Sequence, residues 1–133
     1  SIGYDENIYC LDKFLPDNNL GYYDILLITG IANPKPLLKH LARFSQKVKH
    51  LKFKDHHNFT EQDIKNIVTE YKKLGEYKLI LTTEKDYVRL KTFDYLRDIV
   101  YYWPINVQID KKEEFNQIIL DYVGKNERNR RFH

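Results

Sequence analysis

Two short apolar runs constrain this chain more than any other feature. Asp24-Ile25-Leu26-Leu27-Ile28-Thr29 ends at Gly30, and Tyr77-Lys78-Leu79-Ile80-Leu81 ends at a pair of threonines. A strand with one wet face alternates apolar and polar residues, whereas an unbroken apolar run is buried on both faces, as in the middle of a parallel sheet. Each run is followed by a helix start. After Gly30, Asn33 can cap and Pro34 suits a first helical position, with Leu37, Leu38, Leu41 and Ala42 at helical spacing behind them. Strand, turn and capped helix make a βα unit, and its recurrence predicts an α/β fold: a small, mostly parallel, Rossmann-like sheet with helices on both faces.

Val48 to Phe53 alternates well enough for a strand. Thr60 with Asp63 is a capping box with the shorter acid, and Ile64, Ile67, Val68, Tyr71 and Leu74 form one apolar stripe that stops at Gly75. A short helix is expected through Tyr87, Val88 and Leu90. Strands are expected at Val100–Trp103 and Ile105–Ile109 on either side of Pro104, then a closing helix with Phe115, Ile118, Ile119 and Tyr122 on one face. Residues 1–24 read as a linker or edge-strand segment from a preceding lobe, with a short strand at Ile8–Leu11 and a turn at Pro16–Asn19. Residues 25–124 read as the α/β lobe and 125–133 as a basic, flexible tail.

Composition excludes several classes. Cys10 is the only cysteine among 133 residues, which rules out an intramolecular disulfide and fits a reducing compartment. No apolar run approaches the ~20 residues of a membrane span. The net charge of +3 resides in the tail, because the residues before Lys125 carry 18 cations and 18 anions. A neutral body argues against a broad nucleic-acid-binding face, while a peripheral contact with anionic membrane is open to the tail. The chain contains no Met, so it is expected to be a processed protein or a piece of a longer one.

The candidate chemistry lies on loops that follow strands, where α/β sheets gather ligands. Asp55-His56-His57-Asn58 places an acid and two imidazoles between a strand and a helix, and ordinary turns do not need paired histidines. Either His56 or His57 can serve as a general base or face a charged oxygen, with Asp55 orienting one of them; a local capping role is the alternative. Thr83-Glu84-Lys85-Asp86 can receive a phosphate at a helix start or act as a helix cap. A metal site is disfavoured, because adjacent side chains rarely converge on one ion. His40 and His50 read as scaffold. The glycines at 3, 21, 30, 75 and 124 are too scattered for a phosphate loop or a dinucleotide fingerprint.

Three motifs follow one another between Gly30 and Leu90: Gly30-Ile31-Ala32-Asn33-Pro34, Phe53-Lys54-Asp55-His56-His57-Asn58-Phe59-Thr60, and Thr82-Thr83-Glu84-Lys85-Asp86-Tyr87-Val88-Arg89-Leu90. In order and spacing they resemble the tetraacyldisaccharide 4'-kinases, the lipid A 4'-kinase family of Gram-negative bacteria. The resemblance runs from roughly Tyr4 to the final helix, though it is weak outside the motifs. It implies a two-lobed P-loop-type kinase at the cytoplasmic face of the inner membrane. Such a kinase transfers the ATP γ-phosphate to the 4'-hydroxyl of a tetraacylated disaccharide 1-phosphate in lipopolysaccharide biosynthesis. This chain would be the C-terminal lobe, inactive alone, with ATP and Mg2+ bound mainly by the N-terminal lobe. By the same resemblance His56 assists catalysis from across the cleft, paired with the N-lobe Asp that activates the sugar hydroxyl, and Asp55 is its neighbour. Asn33, His57, Thr83, Glu84, Lys85 and Asp86 would shape the cleft or brace the interlobe contact. The implied partners are the N-terminal lobe and the lipid disaccharide, with no nucleic acid. A stand-alone nucleotide- or phosphosugar-binding module and a structural interaction domain are the competing readings.

Overall fold

The structure, a computed structural model, describes residues 2–107. In chain order the elements are β1 (Ile2–Tyr4), β2 (Asn7–Cys10), β3 (Lys13–Pro16), a 3-10 helix (Asp17–Tyr22), β4 (Asp24–Thr29), α1 (Lys35–Leu41), β5 (Val48–Lys52), α2 (Glu61–Lys72), β6 (Lys78–Thr83), α3 (Glu84–Leu90), β7 (Val100–Trp103) and β8 (Ile105–Val107). β1 and β8 form a two-stranded sheet of their own, and the other strands form a six-stranded sheet in the order β3-β2-β7-β6-β4-β5. The four strands from β7 to β5 are parallel, and β2 joins β7 and β3 antiparallel. The closing helix expected at Phe115–Tyr122 and the tail lie outside the described residues.

The apolar runs occupy the middle of the sheet, as their pattern requires. Side chains alternate between the two faces of a strand. Ile25 and Leu27 of β4, with Leu79 and Leu81 of β6, pack against Leu37 and Leu41 of α1. Leu26 and Ile28, with Ile80, pack on the other face against Ile64 and Ile67 of α2 and Tyr87 and Leu90 of α3. Because both faces are covered, no position of either run can be polar without a partner.

The chain reverses its winding at β4. From β4 it moves outward through α1 to β5, then returns through α2 past β4 to β6 and continues through α3 to β7. Crossovers between parallel strands are right-handed, so opposite directions of travel place α1 on one face and α2 and α3 on the other. The carboxyl ends of β4 and β6 are therefore neighbours whose following loops diverge, which is where such sheets leave a crevice.

Two local expectations change, and the first 24 residues gain detail. Pro16–Asn19 is not an isolated turn but the entry to the 3-10 helix, which is held by burial of Leu20. Within the first 24 residues, β2 and β3 form a hairpin that extends the sheet, anchored by the buried Ile8. Helix α1 begins one residue later than its prolines suggested. Pro34 takes the cap position, and Asn33 Oδ1 accepts the Lys35 N–H at 3.3 Å.

The scaffold histidines carry a pH signature. His40 lies against Tyr4, Trp103 and Phe44, and its buried Nε2 has no hydrogen-bond partner among the described residues. Burial, and then the Arg43 charge, push its pKa below the ordinary value. His50 is lowered by burial and Lys52, and its Nε2 lies 2.7 Å from the Thr29 hydroxyl. Both folded pKa values sit below the unfolded value of about 6.5, so the unfolded chain binds more protons there. Stability is expected to be fully present above that pH and to decline as pH falls through it. Thermal melts from about pH 8 to about pH 5 should show this decline, and His40→Phe should flatten it.

Candidate functional site

The crevice at the switch point is closed by one buried carboxylate. Asp86 is the third residue of α3 and is completely buried. Thr83 caps this helix: its Oγ1 accepts the Asp86 N–H at 3.0 Å and donates to Asp86 Oδ2 at 2.8 Å. The Gly30 N–H, at the end of β4, donates to the same Oδ2 at 2.8 Å. A side chain at Gly30 would place its Cβ 3.1 Å from Asp86 Oδ1 and 3.4 Å from the Lys54 carbonyl, so this close approach favours glycine there. The strand ends are also joined at Thr82, whose hydroxyl donates to the Ile28 carbonyl at 2.7 Å.

This hub reaches the histidine loop from two sides. The Gly30 carbonyl accepts the His56 N–H at 3.1 Å, and the His57 N–H closes the turn onto the Lys54 carbonyl at 3.2 Å. Arg89, one turn along α3, lies 3.9 Å from Asp86 Oδ1 and donates to the His57 carbonyl at 3.0 Å. Held in this way, His56 adopts a left-handed backbone with φ 61°, a conformation that costs a non-glycine residue about 1 kcal/mol. Strain of this kind persists only where the surroundings over-determine it.

The two adjacent imidazoles part company. His57 Nε2 lies 2.8 Å from Asp63 Oδ2, and its ring packs between Phe53 and Phe59. Asp63 also receives the Thr60 N–H, completing the capping box of α2. Partial burial works to raise the Asp63 carboxyl, but the hydrogen bonds from Thr60 and His57 outweigh it and hold the pKa below the ordinary range. His57 is thus fastened to the scaffold.

His56 points outward, with its side chain 66% exposed and Nε2 3.5 Å from Asp55 Oδ2. Lys85 Nζ approaches Asp55 Oδ1 at 3.6 Å. An imidazole, a carboxylate and an ammonium therefore share one open rim, with Thr83 and Asp86 beneath them. Glu84 is exposed in the first turn of α3, and Asn33 is exposed on the loop after Gly30, braced only to Lys35. Arg89 was not singled out from sequence; its signal was the acid–base spacing of three residues from Asp86. Among the described residues no three His, Cys, Asp or Glu side chains are grouped to hold a metal.

An α/β domain with its polar rim at the switch point of a doubly wound sheet is of the Rossmann-like class, whose ligands bind at the carboxyl ends of the strands. Comparison with known sequences narrows this. The chain belongs to the tetraacyldisaccharide-1-P 4'-kinase family, whose description matches residues 12–124. It is 42% identical over 125 residues to a tetraacyldisaccharide 4'-kinase of Bacteroides thetaiotaomicron, covering 89% of this chain and 33% of that protein. Similar relatives are the tetraacyldisaccharide 4'-kinases of Phocaeicola vulgatus, 44% identical over 81% of this chain and 31% of that protein, and of Aliarcobacter butzleri, 39% identical over 89% and 32%. The chain spans about a third of the length of the curated relatives it matches. No solved structure matches it.

Removing the hub should unravel the rim from below. Asp86→Ala strands the Gly30 N–H and the Thr83 hydroxyl in a buried place and is expected to cost on the order of 3 kcal/mol in urea denaturation. His56→Ala, at an exposed side chain, should leave the midpoint unchanged.

Proposed function

We propose that this chain is the C-terminal lobe of a kinase that transfers the ATP γ-phosphate to the 4'-hydroxyl of tetraacyldisaccharide 1-phosphate in lipid A biosynthesis. The observation that carries the reading is the outward His56, fixed at the rim by a strained but doubly anchored turn. Membership of the kinase family supports the reaction, and the names of the relatives supply the acceptor. The described residues offer Mg2+ no ligand cluster, and the glycines are too dispersed for a phosphate loop. In this reading ATP and Mg2+ belong to a P-loop lobe of the intact kinase, and this chain alone is expected to be inactive.

Phosphoryl transfer depends mostly on positioning and on stabilising charge spread over the phosphoryl oxygens. An imidazole on a rigid turn supplies both from the far wall of a cleft. His56 would face the N-lobe Asp that takes the hydroxyl proton, holding that carboxylate in place. Lys85 adds positive charge at the same rim, and Asp55 lies within reach of both Lys85 and His56. Closure of two lobes also excludes water from the reacting phosphate. The enzyme would act peripherally at the cytoplasmic face of the inner membrane, where its lipid acceptor lies.

In the intact kinase, His56→Ala is expected to lower turnover on the order of 100-fold with an unchanged thermal melt. His57→Ala should instead lower the melt, because it removes a partner of the α2 cap. Near-normal turnover in His56→Ala would make the histidine loop structural. A wild-type protein without kinase activity, whose isolated lobe nonetheless binds ATP, would favour a nucleotide-binding module.

A further inference from the structure

The neutral total conceals a segregation of charge. Between Asp24 and Asp55 lie seven cations and no acid: Lys35, Lys39, Arg43, Lys47, Lys49, Lys52 and Lys54. Lys47 pairs with Asp24 and Lys49 with Glu70. The other five have no carboxylate partner among the described residues. Lys35 and Lys39 lie four residues apart on the exposed side of α1, whose buried residues are Leu37 and Leu41, and the exposed Arg43 follows in the turn after its C-cap. Lys52 is exposed on β5, the outermost strand, on the sheet face that α1 covers, and Lys54 follows it.

At its start this arrangement works against the helix, although Lys39 suits the last turn. Like charges four residues apart repel, and Lys35 meets the positive end of the macrodipole in a first turn without an acid. A surface helix stabilises itself more cheaply by mixing signs, and local rules broken without structural gain tend to mark functional surfaces. The same stretch exposes no large hydrophobic side chain among the described residues, so it lacks stacking platforms for single-stranded nucleic acid. Its cations are spread along a helix and a sheet edge rather than around one cavity, which suits an extended sheet of negative charge better than a single anion.

We infer that the face formed by Lys35, Lys39, Arg43, Lys52 and Lys54 docks the protein electrostatically onto an anionic lipid bilayer. The choice of a bilayer rests on the kinase reading, in which the acceptor is a lipid. The strip leads directly into Asp55 and His56, so docking sets the catalytic rim beside the headgroups. The contact is superficial: cations lie among phosphates without apolar insertion, and salt weakens it.

The test is co-sedimentation of the full-length protein with vesicles of phosphatidylcholine alone or mixed with phosphatidylglycerol. Binding is expected only to the anionic vesicles, and to fall with added salt. Each removed charge should cost about fivefold, so Lys35→Gln/Lys39→Gln/Arg43→Gln should bind on the order of 100-fold more weakly. Its melting temperature should be unchanged or higher, since repulsion is relieved. A control of equal charge, Lys65→Gln/Lys72→Gln/Lys91→Gln on other exposed sites, should lose far less. Full binding by the α1 variant, whichever other segment then carries it, overturns the inference, as does an equal loss in the control. The reading of the reaction is scored separately, by phosphorylation of detergent-dispersed acceptor. Kinase activity without bilayer docking removes only this surface, and bilayer docking without kinase activity removes only the reaction.

Discussion

The rim of this domain depends on a single buried carboxylate. Asp86 has no exposed surface and sits where the loops after β4 and β6 diverge, a place that would otherwise be an open seam. Its Oδ2 gathers a backbone N–H from one strand end and a hydroxyl from the other, and an arginine stands near Oδ1, which accepts no hydrogen bond among the described residues. A buried charge is tolerable only when hydrogen-bonded and paired, so each of these groups is required by the others. The Gly30 backbone and the Arg89 side chain then carry this rigidity outward to the turn bearing His56.

From this arrangement comes a division of labour between chemically identical neighbours. His57 is held by Asp63 and two phenylalanines and secures the start of α2, whereas His56, one residue earlier, has a left-handed backbone that turns its ring to solvent. A regular extended segment would also send neighbouring side chains apart, but it would not fix the loop against both α2 and α3. The same turn thus combines anchorage and exposure.

Charge is arranged on a coarser scale than the hydrogen bonds. The acids cluster around helix starts, where Thr60 and Thr83 cap and Glu61, Asp63, Glu84 and Asp86 meet the positive helix ends. The stretch from α1 to β5 has no acid of its own at the start of α1, and only Lys47 and Lys49 find carboxylates among the described residues. Fold and surface therefore follow different rules in different parts of the chain: one part is locally optimised, and the other tolerates repulsion.

Much of this was legible in the sequence because it is local. Unbroken apolar runs require strands covered on both faces; the stripe from Ile64 to Leu74 requires a helix; Thr60 with Asp63 requires its cap. The three motifs pointed to one family by order and spacing alone. What the tertiary structure decided is non-local. The order of strands set which loops share a rim, and the hairpin of β2 and β3 depends on pairing with β7, more than 80 residues away. Neither the burial of Asp86 nor the exposure of His56 beside a fastened His57 is written in nearest neighbours. Each depends on which distant backbone groups arrive at hydrogen-bonding distance, and that is fixed only when the sheet has closed.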